Sequence, residues 1–159
     1  MEQVPYTRLS KGTFLIASPD IDNGLYFRSV ILICEHTQSG SFGLIVNKPL
    51  DADLPEDLID LKNASNPSIQ ARTGGPIAPN QMMLLHSSPT LGEQALKVAE
   101  GVYLGGDMQF LQESLNDANG PALRLCFGYT GWNPGQLEKE FMGGNWFLSP
   151  ASAPHLFET

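Results

Sequence analysis

The chain has 159 residues, 42% of them hydrophobic and 16% charged, and a formal charge of −8; this suits one globular domain that can bury a core without disulfides or metal. Seven acids against three bases in residues 51–100, and six against two in residues 101–159, gather no cluster of Lys and Arg, which excludes an electrostatic footprint for DNA or RNA and a polybasic membrane patch. No apolar run approaches the roughly 20 residues of a membrane helix, and Phe14–Ala17 is too short for a signal-peptide core, so a soluble, cytoplasmic protein is expected.

In chain order, Thr13–Ala17 reads as a strand closed by Ser18-Pro19. Ser29–Glu35 is almost continuously apolar and β-branched, the pattern of a strand buried on both faces, and His36 ends it. A five-residue loop, Thr37–Ser41, leads into Phe42–Val46, which predicts a β-hairpin. Asn47-Lys48-Pro49 stops that strand, and Asp53 caps a predicted helix through Leu61. Ile69–Thr73 and Met82–Leu85 are predicted strands, the first stopped by Gly74-Gly75-Pro76 and the second ended by His86. Val98–Leu104 looks extended, with Gly101 marking a bulge or a break between two strands.

Asp107 caps a second predicted helix that places Met108, Leu111 and Leu115 on one face. Ala122–Tyr129 is a strand with Leu123, Leu125, Phe127 and Tyr129 on one side. A third helix has Asn133 as N-cap, Pro134 in the first position, Gln136 in a capping-box position, Leu137 and Phe141 facing inward, and Gly143-Gly144 as its stop. Trp146–Leu148 gives a last strand. Two runs of strands have no helix between them, so the expected class is α+β, with a mixed, largely antiparallel sheet and about three short helices. One domain spans residues 1–159, with its core at about 11–149 and peripheral termini.

Several residues carry chemistry that two readings share. His36 and His86 could act as base or ligand, or simply bond the backbone at strand ends; no CxxC, HxxxH or HExxH spacing supports a metal, and none is expected. Asn47 and Lys48 should lie near Arg28 and Ser29, about 15 Å or more from His36 along the hairpin, so one small pocket cannot use both. Gly74-Gly75 lacks the order of a phosphate or dinucleotide loop and reads first as a tight turn, with Arg72 nearby as a hint of an anion nest. The segment from Gly128 to Trp132 joins a buried strand to a helix. Tyr129 and Trp132 there, with Gln136, either hold an anion or flat ligand or lid the core. Glu138 and Glu140 point away from each other on a helix and make no catalytic pair. Cys34 and Cys126 sit in apolar runs and should be free, buried thiols.

The order GTFLIASP, SVILICEHTQSGSFGLIVNKP, GGP, MMLLH, LRLCFGYTGWNPGQLEKE and NWF resembles the YqgE/AlgH family from about Lys11 to Ser149. The resemblance implies a compact bacterial protein without an assigned reaction. The AlgH name implies a part in regulating transcription of an exopolysaccharide pathway, without a recognisable DNA-binding motif. The leading expectation is therefore a non-catalytic binding or regulatory protein with a small-molecule or protein partner and no cofactor. A small hydrolase using His36 or His86 beside the glycine turn is the alternative, and direct DNA binding comes last.

Overall fold

The structure is a computed structural model that describes residues 9–21, 24–50, 54, 64–89 and 95–157. Nine strands form one curled sheet: β1 (Thr13–Ala17), β2 (Val30–Thr37), β3 (Gly40–Ile45), β4 (Ile69–Thr73), β5 (Ile77–His86), β6 (Leu96–Ala99), β7 (Val102–Leu104), β8 (Leu123–Trp132) and β9 (Trp146–Pro150). Among the described residues three short helices accompany it: α1 (Met108–Leu115), α2 (Gln136–Met142) and α3 (Ala153–Phe157). The strand order is β6-β7-β5-β8-β3-β2-β1-β9, with β4 pairing β8 from the side. Every ladder is antiparallel except β4–β8. The expected α+β class and largely antiparallel sheet are both observed. The helix expected from Asp53 to Leu61 lies outside the described residues, apart from Leu54.

Because strand side chains alternate between faces, the curl gives the molecule an inside and two outsides. Phe14, Leu32, Leu44, Leu85, Val98 and Cys126 fill the inside, with Leu156 of α3 among them. On one outer face Leu15, Ile31, Ile33 and Ile45 pack with Trp132, Trp146 and Leu137 of α2. On the other, Leu123, Leu125 and Phe127 pack against Phe110 and Leu111 of α1. The continuous apolar run in β2 is thus explained: Ile31 to Cys34 are all buried, on alternating faces. Both cysteines are free and buried. Burial pushes the Cys126 thiol up to about 12, against the pull of Arg72 and Arg124, and pushes Cys34 higher still.

β8 is the spine. Its first half lies between β4 and β5, and its last three residues pair with β3. The bend between the halves is Gly128, at φ +80. A Cβ there would stand 2.3 Å from the Gly75 carbonyl oxygen, and one on Gly74 would stand 2.4 Å from the Gly128 oxygen. Backbone meets backbone at this crossing, which only glycine permits. The bend also shifts the alternation of side chains. Tyr129 was expected beside Leu123, Leu125 and Phe127, but falls instead into the inner core, opposite a register shift in β5 between Ile77 and Met82.

Three further expectations are corrected. The hairpin loop is shorter than five residues: β2 and β3 pair as far as Thr37 and Gly40, so His36 lies within β2. Met108 was placed on one face of α1 with Leu111 and Leu115, but it is 43% exposed, while Phe110 and Leu111 are buried. Asp107 does cap α1, its carboxylate accepting the Phe110 N–H at 2.9 Å. The helix after Asn133 begins later, at Gln136, with Gly135 at φ +79 as its N-cap and no side-chain cap hydrogen bond. Gln136 nevertheless reaches back as expected, its Oε1 accepting the Asn133 N–H at 2.9 Å.

Candidate functional site

The structure separates the candidate residues into five places. Asn47 latches the start of β2: its Oδ1 accepts the Val30 N–H at 2.9 Å and its Nδ2 donates to the Arg28 carbonyl at 2.9 Å. Beside it, Lys48 donates to the Phe27 carbonyl. These contacts hold Arg28 at φ +55, a left-handed conformation that a non-glycine residue keeps only where neighbours impose it. Gly74 is absorbed by the sheet, donating to the Phe127 carbonyl and accepting from the Ile45 N–H, both at 2.8 Å. Gly75 lies against Tyr129 at the crossing described above.

His86 ends β5, as expected, but away from water. It is fully buried, stacked on Tyr103 at 5.9 Å and tilted against Phe110 at 4.6 Å, and its Nδ1 accepts the Ser88 N–H at 3.1 Å. Burial lowers its pKa, and the Gly105 backbone offsets part of the shift. The folded state therefore resists the proton that the unfolded chain accepts as pH falls through about 6.5. Stability should fall from neutral pH toward pH 5.5, and level off below the folded pKa. Urea melts at both pH values test this: His86→Phe, which keeps the ring stack, should flatten the slope, and an equal slope in both proteins would contradict it.

His36 lies on the outer face near α2. Its Nδ1 is 2.5 Å from Ser41 Oγ across the hairpin, and its Nε2 is 3.6 Å from Glu138 Oε2. Glu138 and Glu140 do point apart, as the helical spacing required. Glu140 turns under the sheet to meet the two tryptophans.

The strand–helix junction is where candidates converge, and Trp132 stands at its centre, 7% exposed. In front of it, at the mouth of the curl, Glu35, Ser41, Phe42, Gln81, Met83 and Tyr129 line a cleft of about 520 Å³. Phe42 and Tyr129 meet there edge to face at 6.1 Å. Behind it, Tyr26, Gln136, Glu140 and Trp146 line a second cavity of about 370 Å³. Glu140 organises that cavity. Its Oε1 accepts the indole N–H of both Trp132 and Trp146, each at 3.0 Å, and its Oε2 accepts from Gln136 Nε2 at 3.1 Å. Three donors on one carboxylate fix two rings and a helix in one arrangement.

Sequence reasoning found Tyr129, Trp132 and Gln136 here but missed Tyr26, Glu140 and Trp146. The signal available was the eight-residue step from Trp132 to Glu140 and the six-residue step to Trp146. It becomes meaningful only when α2 folds back over the outer face. A second omission is Arg124, buried in β8, whose Nη2 donates to the Phe157 carbonyl at 2.7 Å and Nη1 to the Leu123 and Ser68 carbonyls at 2.9 and 3.2 Å. Burial, reinforced by repulsion from Arg72, lowers its pKa.

Comparison with known proteins adds a family. A model described as AlgH-like matches residues 14–159. A UPF0301 protein of Chlamydia caviae is 53% identical over 157 residues, covering 99% of this chain and 83% of that protein. One from Chlorobium limicola is 31% identical over 154 residues, covering 96% and 81%. The solution structure of the AlgH protein of Pseudomonas aeruginosa matches with a TM-score of 0.75 and 29% identity, over 99% of this chain and 85% of that one. A Corynebacterium diphtheriae protein, 22% identical with a TM-score of 0.75 over 97% and 82%, shares the fold.

Proposed function

We propose, from the premise that this chain belongs to the AlgH-like family, that it is a non-catalytic binding or regulatory protein whose ligand seats at the β8–α2 junction. The observation that carries this reading is Trp132, which forms a shared wall between two cavities and is pinned by Glu140. A wall fixed before the ligand arrives lowers the ordering cost of binding, and both volumes fall in the range of small-molecule sites. The chemically competent groups are meanwhile committed to structure: His86 to the core, both thiols to dry surroundings, Glu140 to its three donors. Buried, reduced thiols support a cytoplasmic location. The acidic balance favours a small-molecule or protein partner over nucleic acid, with any effect on transcription indirect.

A second reading, a hydrolase, is favoured by one observation: Ser41, His36 and Glu138 are connected in the order of a nucleophile, base and carboxylate. Glu138 is 48% exposed, so water competes for the contact that would orient the imidazole. One experiment separates the two. Purified protein is screened by thermal shift against metabolites, nucleotides and metals, and in parallel treated with a fluorophosphonate serine probe. A binder present at a hundredfold excess over its Kd adds about 2.7 kcal/mol to the folded state. The binding reading expects a ligand whose shift is lost when Tyr129 or Tyr26 is replaced by Ala, with no probe labelling. Labelling that disappears in Ser41→Ala would give the hydrolase reading the field.

A further inference from the structure

We infer that the cavity behind Trp132 is a site for an organic cation, specifically a compact alkylated ammonium head. This rests on the binding reading above and names its ligand class. Three aromatic rings and one carboxylate face the same 370 Å³. Trp132 and Trp146 lie at 86° with centroids 6.5 Å apart, and Tyr26 meets Trp146 at 85° and 6.0 Å. Rings held edge to face present no pair of parallel walls for a flat ligand to slot between, which suits a round head better than a flat one. Ile21 and Leu25 close the apolar side.

The charge decides the ligand. Every donor to Glu140 is neutral, two indoles and one amide, so its hydrogen bonds are satisfied while its charge is not cancelled. Among the described residues the side-chain ion pairs are His36–Glu138 and Lys97–Glu100, and Glu140 belongs to neither. An anion would meet the uncompensated carboxylate. A neutral apolar ligand would fill the space and cover the charge without compensating it. A cation answers both at once, by Coulomb attraction and by cation–π contact with rings that are already in place.

The molecule carries its own reporter, because its sequence has two tryptophans and both line this cavity. Tryptophan emission is followed during titration with choline, with its neutral isostere 3,3-dimethyl-1-butanol, and with a metabolite library scored by thermal shift. The expected result is a saturable change with choline at millimolar concentration or below and none with the isostere. Glu140→Gln, which removes the charge and keeps an acceptor for the indoles, should weaken choline on the order of tenfold or more. Should that variant fail to fold, Tyr26→Leu leaves the carboxylate and both indoles in place and should weaken choline several-fold. Equal response to the isostere, undiminished binding in either folded variant, or no response to choline at tens of millimolar overturns the inference. In that event, a library ligand whose thermal shift survives Glu140→Gln leaves the binding reading intact, whereas silence of the whole library removes both.

Discussion

Trp132→Ala should destabilise the protein by about 3 kcal/mol or more, which places it among the most damaging substitutions available in this chain. The ring sits with Leu15, Ile31, Ile33, Ile45, Leu137 and Trp146 between the sheet and α2, so truncation leaves a cavity that strands paired on both sides cannot collapse to fill. It also removes one of the two indole donors on Glu140 Oε1 and the edge-to-face contact with Trp146. Trp132→Phe separates these contributions. It keeps most of the packing and drops the N–H, and its cost should stay near 1 kcal/mol, because Glu140 retains Trp146 and Gln136 as donors. Urea denaturation of the three proteins gives the numbers. A loss below 1 kcal/mol in Trp132→Ala would mean that the ring lines a cavity without supporting the fold.

Arg124→Ala should cost about 3 kcal/mol or more by a different route. Arg124 is 2% exposed, and its guanidinium bonds the carbonyls of Ser68, Leu123 and Phe157. It thereby ties the loop before β4 and the end of α3 to the sheet's central strand. Its ring contact with Phe157, 5.6 Å from the guanidinium carbon, adds to the tether. Truncation opens space beside the inner core and leaves a carbonyl of α3 without its charged donor. Arg124→Met fills much of that space and avoids the cost of burying a charge, so it should be milder than Ala. Both variants should expose the 151–157 segment to limited proteolysis before the rest of the chain. If Met and Ala lose the same stability, the hydrogen bonds outweigh the volume; if neither loses any, the tether is dispensable.

The strands were legible because apolar runs bounded by glycine and proline are a local signal. Ile69–Thr73 matches β4 residue for residue, and the break at Gly101 separates β6 from β7. The Asp107 cap was legible for the same reason: the accepting carboxylate and the N–H that donates to it lie three residues apart. What stayed hidden depends on partners distant in sequence. β8 runs on past Tyr129 because β3 offers Ser41 to Gly43 as a ladder, and nothing near Thr130 announces that. The burial of His86 comes from Tyr103 and Phe110, and that of Arg124 from Phe157. An isolated charged or polar letter in a strand reads as exposed, and these two are not. Of the site, one wall was readable in the Tyr129–Gln136 segment. The opposite wall, Tyr26 and Trp146, required the topology.

The pairing of β1 with β9, from Thr13 opposite Pro150 to Ala17 opposite Trp146, bears on how the chain is made. On the ribosome the β1–β2–β3 unit emerges before β8 and β9 and can form its own ladders. Its two flanks, however, are reserved for β8 and β9, which follow β3 at a long distance in the chain. At about 5–20 residues per second the wait is on the order of ten seconds. Throughout that interval the nascent protein displays two unpaired strand edges and the apolar outer face that α2 later covers. Long-range closures of this kind fold slowly, and unpaired edges beside uncovered apolar surface are the features that favour aggregation in a half-made sheet.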